Sequence, residues 1–191
     1  MSPIVIAIDP GTRTHGLVVY RDRLAVIADP QADTSDVCSI LWSAHILRRS
    51  RPVIITVERI SAMGIAGNDV VHTAEISARF VELAHRIAAD PAHDGKPVHP
   101  VHVYWLRRRQ VLAMLAVSGA EGSKDAAVRR AMIEEHGGTK SIAVGTKAKP
   151  GPLYGVTSHA WQALGLARAT IIGRATGQVD PCAPITTQET T

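Results

Sequence analysis

Apolar and polar positions alternate along this chain in blocks that predict strands first and helices later. Residues 3–8 form an unbroken apolar run, the pattern of a strand buried on both faces. It ends at Asp9 and a Pro10-Gly11 turn, after which Gly16–Tyr20 predicts a second strand and Leu24–Ala28 a third. Connections this short imply antiparallel hairpins, and Asp29-Pro30 breaks the pattern. Thr34 or Ser35 is placed to cap a helix over 36–49, whose Val37, Ile40, Leu41, Ala44 and Leu47 share one face. Pro52 stops it, and Val53–Val57 is a fourth apolar strand ending at Glu58. A strand–helix–strand crossover of this kind is right-handed, so the fourth strand runs parallel to the first.

Residues 60–68, rich in Ala and Gly, read as a loop. A helix over 69–89 carries Ile76, Phe80, Leu83, Ala84 and Ile87 on one face, suited equally to a core or to a dimer contact. Val98–Trp105 predicts a fifth strand, with His99 and His102 better suited to partial exposure than to metal binding. Helices follow over 107–117, over 124–136 behind a Ser123 cap, and over 157–173. The Gly-, Lys- and Pro-rich stretch 137–152 reads as loop. The polar, Thr-rich residues 174–191 read as a disordered tail. The fold class is α/β: one domain over 1–173 with a five-stranded mixed sheet, three strands antiparallel and two parallel, flanked by helices.

Composition narrows the class. Hydrophobic residues make up 46% and charged residues 20%, as in a globular protein. No apolar run approaches the roughly 20 residues of a membrane span, and a strand begins at the N-terminus where a leader would stand. Cys38 and Cys182 lack metal-ligand spacing and read as free thiols, so the expected location is the cytoplasm. The net charge of +4 is concentrated: residues 107–149 hold nine Lys or Arg against four Asp or Glu. That segment suits a polyanion, with solvated helix faces as the plain alternative.

The candidate chemistry sits at strand ends. Asp9 closes a buried strand, and such a carboxylate needs a partner unless it only initiates the turn. Parallel neighbours place Asp9 and Glu58 side by side at the C-terminal edge of the sheet, where α/β folds bind ligands. Two carboxylates this close require a proton or a cation between them. In the last helix, His159 and Gln162 stand three residues apart on one face, a spacing that serves a cap or a site equally.

Ile8-Asp9-Pro10-Gly11-Thr12, Val57-Glu58-Arg59 and His159-Ala160-Trp161-Gln162-Ala163-Leu164, in this order, resemble the acidic motifs of the RuvC-type Holliday junction resolvases. Arg108-Arg109-Gln110-Val111 and Gly122-Ser123-Lys124-Asp125 resemble the stretch before that family's last helix. Lys149-Pro150-Gly151-Pro152-Leu153-Tyr154-Gly155-Val156 looks like its phage-borne members. The resemblance spans residues 3–173. It implies a ribonuclease H-like fold and a homodimer, in a bacterium or phage-infected host, that cuts opposed strands of a four-way DNA junction. The implied cofactor is Mg²⁺ or Mn²⁺, two per site.

On that resemblance, Asp9, Glu58, His159 and Gln162 are the catalytic set, with Asp9, Glu58 and His159 as metal ligands. Lys124 matches a DNA-contacting residue. Arg107, Arg108, Arg109, Lys147 and Lys149 are further candidates for phosphate contacts, and Met63 or Ile60 for an apolar wedge between bases. Gln162 departs from the pattern, standing where many members carry a final Asp. An amide ligates but brings no charge, and Asp125 is a candidate for the missing carboxylate. The alternatives are a catalytically weakened junction-binding protein, an RNA-directed ribonuclease on the same fold, and an actin-like ATPase or sugar kinase. The last needs a second lobe, for which this chain is too short.

Overall fold

A computed structural model describes residues 1–60, 67–91, 97–117 and 124–184. The strands are β1 (Ile4–Asp9), β2 (His15–Arg21), β3 (Leu24–Ala32), β4 (Val53–Arg59) and β5 (Val101–Arg107). The helices are α1 (Thr34–Leu47), α2 (Asn68–Ala89), α3 (Arg108–Met114), α4 (Lys124–Glu135), α5 (Lys140–Ala143) and α6 (Ala160–Ala175). The sheet has five strands in the order β3-β2-β1-β4-β5. β1, β2 and β3 pair antiparallel, and β4 runs parallel to both β1 and β5, as the hydrophobic pattern predicts.

Strand periodicity sorts the core into two layers. Ile4, Ile6 and Ile8 of β1 and Val53, Ile55 and Val57 of β4 pack against α1 and α2. Val5, Ala7 and Ile54 face the opposite way, toward α6, α3 and α4. Asp9 and Glu58 have the parity of Val5 and Ile54, so both carboxylates emerge on the α6 side of the sheet. The register Ile8↔Val57 makes them neighbours across the parallel pair. α6 lies on this face: Thr170 Oγ1 donates to Thr56 Oγ1 at 2.9 Å, and both residues are buried. At the other end, a Cβ on Gly16 would stand 2.4 Å from the His159 carbonyl oxygen. Only a glycine in β2 lets the start of α6 come so near.

Several boundaries differ from those predicted. β3 continues through Asp29-Pro30 to Ala32, because an edge strand has one side free of pairing and tolerates proline. Asp33, rather than Thr34 or Ser35, caps α1, in a reciprocal capping box with Asp36. The stretch 137–152 is not all loop, since it holds α5 and a Gly145–Pro150 bridge. The predicted tail is ordered at its start. α6 runs on to Ala175, Val179 is buried, and the Cys182 N–H donates to the Val103 carbonyl at 2.8 Å. Residues 185–191 and the Ser123 cap lie outside the described residues. The apolar face of α2 packs into the core: Ile76, Phe80, Ala84 and Ile87 are buried under the sheet and Leu83 is half-buried against them.

Candidate functional site

At the C-terminal edge of β1 and β4, a cleft of about 330 Å³ is lined by Asp9, Pro10, Gly11, Thr14, Glu58, Arg108, Asp125, His159 and Gln162. The turn that frames it is held from below. The Gly11 N–H donates to His15 Nδ1 at 3.2 Å, which leaves the Nε2 proton of the neutral ring for Thr34 Oγ1 at 3.1 Å. Burial keeps the His15 pKa below its ordinary value, which favours that neutral form. Glu58 is anchored through its own carbonyl, which accepts from Ser77 Oγ at 2.7 Å. That hydroxyl in turn accepts from Trp105 Nε1 at 2.9 Å.

The two carboxyls interact directly. Burial, then the charge of Glu58, pushes the Asp9 pKa up to about 8. Burial also raises Glu58, against the Arg108 guanidinium, which pulls it down. Asp9 is therefore the member that holds a proton at neutral pH when no cation is near, hydrogen-bonded to Glu58. Arg108 Nη1 donates to Glu58 Oε2 at 3.2 Å, and Nη2 reaches Asp125 Oδ1. His159 Nδ1 lies 3.8 Å from Asp9 Oδ2, with its side chain 66% exposed. Gln162 is only 6% exposed, and its buried Oε1 has no hydrogen-bond partner.

The cleft thus unites all four sequence-predicted catalytic residues, and it adds Asp125. Among the described residues, no group of three or more His, Cys, Asp or Glu side chains is arranged to hold a metal ion. His159 occupies the N-cap position of α6 without a side-chain capping bond and stands exposed at the rim. Besides Asp125, the oxygen donors that line the cleft are Asp9, Glu58 and the amide of Gln162, whose Oε1 is orphaned. That set suits a hard divalent cation that keeps waters and takes one or two carboxylates from the protein.

The basic candidates divide. Arg108, expected on a DNA-contacting surface, turns inward between two acids. Parallel pairing of β5 with β4 brings the residues just after β5 to the same edge as Glu58, a signal present in the strand order. Arg109 and Lys124 are exposed at the starts of α3 and α4, near the cleft, and Arg107 is half-buried. Lys147 and Lys149 are elsewhere. α4 runs from the cleft, at Asp125, to Glu135, and His136 just beyond it bonds Tyr20 at the far end of β2. The segment beyond it is tied to β3 there by Ala25 N–H to the Pro152 carbonyl at 2.9 Å. Met63 lies outside the described residues. Ile60, the other wedge candidate, is half-buried.

Two solved structures resemble the whole chain. Thermus thermophilus RuvC in complex with a Holliday junction substrate superposes with a TM-score of 0.55 at 20% identity, covering 95% of this chain and 100% of that one. The fold is the RuvC fold. A second Thermus thermophilus RuvC structure gives a TM-score of 0.53 at 20% identity, covering 94% of this chain and 99% of the RuvC chain. No protein-family model and no curated protein matches the sequence. No helix among the described residues is long and apolar enough to cross a membrane.

Proposed function

We propose that this chain is a metal-dependent endonuclease that resolves four-way or other branched DNA junctions, acting in the cytoplasm as a homodimer. One observation carries the reading. Half-buried Asp9 and buried Glu58 stand paired in an open cleft that Gln162, with its unpartnered Oε1, also lines, on a fold shared with a RuvC solved on a Holliday junction.

Asp9, Glu58 and Gln162 Oε1 would hold Mg²⁺ or Mn²⁺. When bound, such a cation would supply a lowered pKa for a water and a positive charge beside the phosphate. Asp9 would give up its proton to such a cation, and the Ser77 bond to the Glu58 carbonyl would fix the strand end that carries Glu58. His159, exposed beside Asp9, is placed to take the proton of the attacking water or to supply one to the leaving oxygen. The net reaction adds water across a phosphodiester and leaves a 5′ phosphate and a 3′ hydroxyl. Arg109 and Lys124 bind phosphates on either side of the cleft and set the register of the DNA without reading its sequence. Met63 remains a candidate wedge.

The second reading is a junction-binding protein that cuts weakly, favoured by the uncharged Gln162 and by the guanidinium already resting on Glu58. Incubation with a synthetic four-way junction, a linear duplex and an RNA–DNA hybrid separates these readings. The enzyme cuts the junction alone, in Mg²⁺ or Mn²⁺. The weakened form binds it and leaves it intact until Gln162→Asp restores cutting. Cutting of the hybrid alone identifies a ribonuclease.

A further inference from the structure

Arg108 is the first residue of α3, directly past β5. Its guanidinium spans two acids, Nη1 on Glu58 Oε2 at 3.2 Å and Nη2 on Asp125 Oδ1, while the side chain stays 25% exposed to the cleft. Two-nitrogen engagement of carboxylates fixes a guanidinium far better than a single contact does. Three of its five N–H donors are not used in these two bonds and remain for phosphate oxygens.

The charge of the cleft argues in the same direction. Ionised Asp9, Glu58 and Asp125 set against Arg108 leave a net charge of −2, to which the Gln162 amide adds none. Two divalent cations about 4 Å apart would bring four positive charges into that space. One cation is matched far better. The Gln162 Oε1 atom, buried and unpartnered, supplies a neutral donor for it.

We propose that Arg108 takes the place of one of the two divalent cations expected from the family resemblance, so that each site works with a single cation held by Asp9, Glu58 and Gln162. The inference rests on the reading of this cleft as a phosphodiester-cutting site. Arg108 then does permanently what the second ion would do, neutralising charge on the scissile phosphate from the Glu58–Asp125 side. A side chain, unlike a bound ion, is not lost to a chelator.

Counting Mn²⁺ by electron paramagnetic resonance, on the full chain without DNA, tests this apart from activity. The native chain binds one ion, Arg108→Lys binds one, and Arg108→Gln binds two. In the junction assay Arg108→Gln cuts about 100-fold more slowly than the native chain despite the extra ion. Two ions in the native chain, or one ion in a folded Arg108→Gln, overturn the proposal. If Arg108→Gln does not fold, the native count and Arg108→Lys still decide it. Two ions together with junction cutting remove the role of Arg108 and leave the nuclease reading standing. One ion without any cutting removes the nuclease reading, and the assignment of Arg108 falls with it. No bound ion overturns both.

Discussion

Asp9 holds a proton that an aspartate in water gives up. An unfolded aspartate ionises near 3.8, and folded Asp9 near 8. Between these values the folded state binds more protons than the unfolded one. The stability of the metal-free protein therefore falls as pH rises through that window and levels off above it. Melting in chelator is expected to show a thermal midpoint that declines from pH 5 to pH 8, more steeply in the native chain than in Asp9→Asn. Mn²⁺ at pH 8 should raise the midpoint of the native chain and leave that of Asp9→Asn nearly unchanged. Equal slopes for the two proteins would show that Asp9 is not the group under strain. Gln162 complements this picture as a buried oxygen that lacks a partner. Gln162→Asp puts a negative charge where the cleft now offers a neutral donor. Calorimetric titration should show Mn²⁺ binding at least about tenfold tighter than in the native chain, corresponding to about 1.4 kcal/mol. Unchanged affinity would place Gln162 outside the ligand set.

α6 is the element that makes a site out of two strand ends. It brings Gln162 and His159 over Asp9 because β2 carries glycine where the helix starts. In Gly16→Ala the new methyl meets the His159 carbonyl at 2.4 Å, so the start of α6 must move. Urea unfolding is expected to show a loss of about 1–3 kcal/mol, as for other overpacked positions. Divalent-ion affinity should fall with it, and a variant of native stability and affinity would show that this contact does not position the site. At this scale much was legible in the sequence. The apolar runs ending at Asp9 and Glu58, the crossover between them and the parity of their side chains follow from periodicity and handedness alone. The inward turn of Arg108 does not. Three consecutive arginines read as surface, and which of them meets Glu58 depends on where α3 starts its first turn. The burial of Val179 was hidden for a related reason. A single apolar residue in a polar stretch has no period, and it packs only because Gly173 leaves room for it beside Met114. The orphaned state of Gln162 depends on α6 meeting β1, β2 and β4 together, which no local pattern encodes.

Across the whole molecule, positive charge and the cleft share one side of the sheet in part only. Arg109 and Lys124 stand near the acids, whereas Lys147 and Lys149 lie beyond the far end of α4, about 18 Å along a helix of 12 residues. Phosphate contacts release counterions, so log affinity falls linearly with log salt. Lys124→Ala is expected to weaken junction binding and to make that slope shallower by about one, measured by fluorescence anisotropy between low and moderate salt. Lys149→Ala should change the slope much less, and the reverse order would relocate the DNA path. The most direct measurement is of cutting itself. The native chain and Asp9→Asn are compared on a four-way junction and on a linear duplex of the same sequence, in Mn²⁺, with binding measured in parallel. The native chain is expected to nick the junction, leave 5′ phosphates and spare the duplex, while Asp9→Asn binds equally and cuts at least about 100-fold more slowly. A native chain that binds the junction in Mn²⁺ without cutting it, or an Asp9→Asn variant that cuts at the native rate, contradicts the account.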